Sequence, residues 1–151
     1  MRHALASLVL ALFLFPSIAM GETVSADDLV KRNGLYYKEF TDHLFTGKTT
    51  GPYENLSYKD GRKHGPFVYY YSNKKVNYKG TYKDGKEDGP WVYYHENGQL
   101  GSKGTFKDGE RDGPWVFYRE NGDEDLTGAS STKYYVHEGS GTYKDGKKIS
   151  N

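Results

Sequence analysis

The sequence predicts an all-β fold: an elongated antiparallel meander of stacked β-hairpins forming a single-layered open sheet. Three observations predict it. Lys-Asp-Gly recurs at a step of 24 residues, at Lys59-Asp60-Gly61, Lys83-Asp84-Gly85 and Lys107-Asp108-Gly109, and a fixed step of this size marks a repeat array. Gly-Pro followed by an aromatic ring keeps the same step, at Gly65-Pro66-Phe67, Gly89-Pro90-Trp91 and Gly113-Pro114-Trp115. Turn dipeptides such as Asp84-Gly85 and Asn97-Gly98 reverse the chain roughly every dozen residues, the rhythm of a meander. Both dipeptides suit a type I′ turn, whose two central residues need positive φ.

Taken in order, the chain opens with Arg2 and His3, an apolar run from Ala4 to Phe15, then Pro16 and small residues at Ala19 and Gly21. This layout predicts a signal peptide over residues 1–21, cut after Gly21 or after Ala19, since the apolar run is too short to span a bilayer. The mature chain is then exported, either periplasmic or secreted. Residues 22–33 read as a polar leader with one helical turn after Ser25. The repeat domain covers 34–149. It begins with a degenerate hairpin made of Gly34-Leu35-Tyr36-Tyr37 and Leu44-Phe45-Thr46-Gly47-Lys48, as expected of a terminal unit that faces water.

Regular units follow at 58–81, 82–105 and 106–129. Trp91-Val92-Tyr93-Tyr94 combines β-branched and aromatic residues, and alternation places Trp91 and Tyr93 on one face, Val92 and Tyr94 on the other. Gly80, Gly104 and Gly141, each before a threonine, mark a bend or a close approach between strands. The first unit has Asn73-Lys74 in place of Asn-Gly, which predicts a less well-formed turn. The third departs after Asn121-Gly122, and the next Lys-Asp-Gly starts only at Lys144. That inserts a loop on one face of the array, often the binding face. Tyr134-Tyr135-Val136 resume the strand pattern, and a final half unit spans 141–149.

The chain has no cysteine, which excludes disulfides, thiolate metal sites and a lipid-modified N-terminal cysteine. Of 21 basic and 20 acidic residues, Arg2 alone leaves with the signal peptide. The mature chain is neutral, which argues against nucleic acid and against charge-driven membrane binding. With 15 tyrosines in 151 residues and few aliphatics, the core must be aromatic.

The pattern Gly89-Pro90-Trp91-Val92-Tyr93-Tyr94, Asn97-Gly98-Gln99-Leu100 and Lys103-Gly104-Thr105-Phe106-Lys107-Asp108-Gly109 resembles the variant MORN repeat, in particular the small bacterial YwqK-type proteins often labelled antitoxins. The resemblance covers roughly residues 34–148. It implies stacked hairpins in an elongated antiparallel sheet, used for protein or lipid contact and as a scaffold.

No catalytic site, metal site or cofactor is predicted. His43, His64, His95 and His137 share no frame position and read as solvated loop residues. The clusters Asp84, Glu87, Asp88 and Asp108, Glu110, Asp112 could in principle gather around calcium, but lysines offset them and turn chemistry explains them. Asp123-Glu124-Asp125 reads as a solvated loop. The candidate binding residues are the recurring rings Phe67, Trp91, Trp115, Tyr69, Tyr93 and Phe117. Their rows could take a glycan or an extended peptide, or could simply be the core. The expectation is an exported, non-enzymatic scaffold that binds another exported or envelope protein through a sheet face or edge. An antitoxin-like neutralising partner and a carbohydrate-binding module are the alternatives.

Overall fold

The structure is a computed structural model and describes residues 21–128 and 138–151. The predicted signal peptide (apart from Gly21), the Tyr134–Val136 segment and His137 lie outside the described residues. The fold is all-β, with no α-helix among the described residues. Its strands are β1 (Glu22–Ser25), β2 (Leu29–Arg32), β3 (Leu35–Lys38), β4 (Gly47–Thr50), β5 (Glu54–Lys59), β6 (Arg62–Lys63) and β7 (Gly65–Tyr70). They continue with β8 (Val76–Lys83), β9 (Lys86–Glu87), β10 (Gly89–Tyr94), β11 (Leu100–Lys107), β12 (Glu110–Phe117), β13 (Gly141–Lys144) and β14 (Lys147–Ser150). One open sheet of 12 strands runs β1-β4-β5-β7-β8-β10-β11-β12-β13-β14, with β6 beside β5 and β9 beside β8; β2 and β3 pair separately.

Each Asp-Gly turn has both residues at positive φ, 51° and 90° at Asp84-Gly85 and 52° and 92° at Asp108-Gly109, the type I′ geometry that matches strand twist. The Asn-Gly turns are different. Only Gly98 (91°) and Gly122 (90°) are left-handed there, and the Gly98 N–H donates to the His95 carbonyl while the His95 N–H donates to that of Gln99. This is a longer hairpin, a four-residue turn closed by one left-handed residue. Asn73-Lys74 forms the same turn, with equivalent bonds from Lys74 to Tyr71 and from Tyr71 to Lys75. It is well formed, contrary to expectation, because Lys74 accepts φ 66°. A left-handed backbone costs a non-glycine residue about 1 kcal/mol. Lys74→Gly is therefore expected to raise unfolding stability by about 0.5–1 kcal/mol, read by urea denaturation; a loss of stability would refute this account.

Hydrogen bonds outside the strand ladders stack one unit on the next along both margins. On the Asp-Gly margin, the N–H groups of Gly85, Gly109 and Gly146 donate to the carbonyls of Lys63, Glu87 and Arg111 at 2.8, 2.9 and 3.0 Å. On the opposite margin, Asn97 Oδ1 accepts from the Gln99 N–H at 2.8 Å while its Nδ2 donates to the Glu120 carbonyl at 3.1 Å. Asn73 repeats both bonds one unit earlier. Beside this row, the Tyr71 hydroxyl donates to the Tyr94 carbonyl at 2.7 Å. His95 Nε2 meets the Tyr118 carbonyl at 2.8 Å, and because a carbonyl only accepts, Nε2 carries the proton. His95 is thus a half-buried latch between units rather than a solvated loop residue.

The N-terminal region departs from expectation. The helical turn after Ser25 is present as a short 3₁₀ turn with a capping box, but residues 22–33 also supply two strands. β1 joins the sheet parallel to β4, and β2 pairs with β3. The expected opening hairpin between 34–37 and 44–48 does not form as such. Asn33 and Gly34, at φ 50° and 81°, make a type I′ turn that sends β3 back onto β2. A bridge from Tyr37 to Leu44 is what remains.

The insertion leaves the sheet continuous, since β12 pairs directly with β13 and Trp115 faces Gly141. Within it, Asp125 is fully buried, which corrects the expectation of a solvated acidic loop. Its Oδ1 accepts from the N–H groups of Thr127 and Gly128 at 3.1 and 3.0 Å. Its N–H donates to the Phe117 carbonyl. Asp123 and Glu124 are exposed.

Candidate functional site

One face of the sheet carries a continuous aromatic row, the core of the molecule. Phe67, Trp91 and Trp115 lie along it, with Phe67 4.8 Å from Trp91 and Phe106 bridging Trp91 and Trp115 at 5.3 and 4.9 Å. Tyr36 and Phe45 close one end edge-on against Tyr58. At the other, the Arg111 guanidinium lies over Trp115, Phe117 and Tyr143, between 5.1 and 5.5 Å from each ring centre, a cation–π cap on that end of the row.

The recurring glycines make this row possible. Trp91 lies flat over Gly80 and Trp115 over Gly104, so close that a Cβ would sit 2.5 and 2.1 Å from the respective rings. The indole N–H groups donate to the carbonyls of Thr81 and Thr105 at 3.1 and 2.9 Å. The Gly-Thr pair is therefore a seat for a tryptophan: no side chain beneath the ring, and a carbonyl at its polar edge.

Of the candidate binding rings, Phe67, Trp91, Trp115 and Phe117 are 5, 2, 1 and 1% exposed. Their faces already meet neighbouring rings or the glycine backbone. Tyr69 and Tyr93 are half-buried, and with Tyr78 they form a stack with centres 5.1 and 5.5 Å apart. Burial pushes the hydroxyls of Tyr58, Tyr78 and Tyr82 above their ordinary range. Tyr36 and Glu54 add to the effect at Tyr58, Tyr69 and Glu54 at Tyr78, and Glu87 and Tyr78 at Tyr82. These hydroxyls stay neutral donors at any physiological pH.

The remaining polar candidates do not converge. Asp84 is at a turn tip 3.3 Å from His64. Glu87 shares the inner face with Tyr82, its strand partner. Asp88 sits in the bend before Gly89, its N–H donating to the Thr81 carbonyl. Glu110 and Asp112 stand on the outer face, with Asp112 3.2 Å from Lys144. Alternation along the strand turns Glu110 and Asp112 away from the inner face that Glu87 occupies. Among the described residues no three His, Asp or Glu side chains group as metal ligands. His43 is exposed.

Sequence reasoning missed Gly80 and Gly104 as seats for particular rings, Arg111 as an end cap, and His95. The last had a signal: Tyr71, His95 and Arg119 occupy one frame position; Tyr71 and His95 each reach the next unit, while Arg119 lies 3.7 Å from Asp125 in the loop that follows it.

An open β array with an aromatic spine, stacked by margin ladders and ending in strands outside the regular units, defines a β-repeat protein. The family described as MORN repeat variant matches residues 63–84 and again residues 87–108, the same step of repetition that spaces the tryptophans. These two stretches are variant MORN repeats. No curated protein matches the chain.

Proposed function

We propose that this is an exported, non-enzymatic repeat protein that binds another exported or envelope protein through a sheet face or edge. The observation that carries this reading is the open sheet. Among the described residues β1 and β14 each have a single strand neighbour, so each presents an edge open to strand addition. A second feature supports protein contact. Phe40 is 96% exposed and held at φ 59°, a strained backbone and an apolar ring in water together, a combination that concentrates at contact sites.

The test is affinity purification of the tagged chain from the exported fraction of its own cells, followed by reconstitution of any captured protein from purified components. A stoichiometric partner that rebinds is the expected result, and a partner whose toxicity the chain suppresses would make it antitoxin-like. Reproducible recovery of the chain alone would overturn the reading.

A further inference from the structure

Net charge conceals how the charges are arranged. Residues of the inner face alternate with an outer face that the strand registers define row by row. Asn55, Val68, Lys79, Val92, Lys103 and Val116 are successive cross-strand neighbours, and both lysines are exposed. Nearer the Asp-Gly margin the same face carries Lys59, Lys83, Lys107 and Lys144, one per unit and all exposed. The acids along these rows are Glu110, Asp112 and, at the frame position of Asp112 beside Thr81, Asp88; Lys144 already pairs with Asp112. Among the described residues Lys79, Lys83, Lys103 and Lys107 make no ion pair. The face is basic although the chain's formal net charge is only +1, because most acids stand at turn tips, on the margins or on the inner face.

The rows also have a spacing. Equivalent positions in successive units are two strands apart, about 9.6 Å for strands about 4.8 Å apart. Half-buried Tyr70, Tyr94 and Tyr118 recur at the same interval on this face, and Lys79 lies 5.7 Å from the centre of the Tyr94 ring. A polyproline II chain advances about 9.3 Å in three residues, so every third side chain meets an equivalent point of the next unit. Tyrosine ridges are also the surfaces on which such chains dock.

We propose that the outer face binds an acidic, extended segment of a partner protein, laid across the strands with a carboxylate at about every third residue facing Lys79 and Lys103. The valines and tyrosines between the lysines favour a polypeptide over a bare polyanion, since they offer apolar contact that phosphates alone do not use. This rests on the reading of the chain as a protein-binding scaffold.

The probe is a fluorescent synthetic peptide of Glu-Pro-Pro triplets, titrated against the purified chain. Binding is expected to weaken at least tenfold between about 50 and about 200 mM salt, and to vanish for the matching Gln-Pro-Pro peptide. K79Q/K103Q should weaken it about tenfold. K74Q/K75Q removes the same charge from the Asn margin and should change it by less than about twofold. Absence of binding at low salt, or equal loss in both double variants, would overturn the inference. So would equal or tighter binding of double-stranded DNA or phosphatidylglycerol vesicles, which would mark a general polyanion face. A native partner captured equally well by K79Q/K103Q would sink this inference and leave the scaffold reading standing; failure to capture any partner would sink the scaffold reading itself.

Discussion

Replacing Gly104 by alanine is expected to destabilise the protein by about 3 kcal/mol, although the change adds one methyl group to a strand. The new Cβ would lie 2.1 Å from the Trp115 ring. That ring is 1% exposed and is held at its far edge by the bond to the Thr105 carbonyl. It cannot lift without opening the row, and it cannot slide without stranding a buried donor. Overpacking of this kind costs roughly 1–3 kcal/mol and occasionally more, and the double constraint puts this site at the upper end. The melting temperature should fall by roughly 10 °C.

The first unit shows how the conflict is resolved within the same frame. Where Trp91 and Trp115 stand over Gly80 and Gly104, the ring of the first unit is Phe67, and the position 24 residues before Gly80, just ahead of that unit, is Leu56. Both residues are buried in the core. A larger floor is matched by a smaller ring that needs no carbonyl at its edge. Gly104→Leu combined with Trp115→Phe should therefore be more stable than Gly104→Leu alone, with a coupling of about 1–3 kcal/mol between the sites. Strict additivity in this cycle, or a Gly104→Ala variant as stable as the parent, would show that ring and glycine are not a packing unit.

The step of 24 residues made the strands and the Asp-Gly turns legible, because both depend on residues that recur. Recurrence did not show which recurring residues touch. Gly104 and Trp115 are 11 positions apart and meet only through strand pairing. Nor did the dipeptides fix their own turns: Asp-Gly and Asn-Gly favour similar backbones, but the paired residues around each decide how long the hairpin is. The parallel pairing of β1 with β4 was hidden for a different reason. Glu22-Thr23-Val24-Ser25 is short and polar, and Val24 alone is buried there, so hydrophobic alternation had nothing to register. Charge segregation escaped because a sum over the chain cancels two faces that never meet.

The alkaline limit of the fold should be set by its tyrosines. An ordinary tyrosine ionises near pH 10. Burial, reinforced by neighbouring tyrosines and glutamates, raises Tyr58 and Tyr82 well above that and raises Tyr78; burial with Glu96 and Glu120 raises Tyr71, and burial raises Tyr143 against the opposing charge of Arg111. The folded state thus holds protons that the unfolded chain releases. Their contribution is fully present below about pH 10 and is lost as pH climbs through the folded values. For Tyr58, 6% exposed, the loss approaches about 1.4 kcal/mol per pH unit, and the other buried hydroxyls add to the slope. Stability should be level from neutral pH to about 10 and then collapse cooperatively. Tyrosinate absorbance should show the exposed rings titrating first and the core rings appearing together with loss of the tryptophan near-ultraviolet dichroism. A Tyr58→Phe variant should soften the alkaline slope while leaving the neutral plateau within about 1 kcal/mol. Smooth ionisation of all tyrosines near pH 10 with the dichroism intact would mean that the inner face is open to water, and the aromatic row would then be a surface rather than a core.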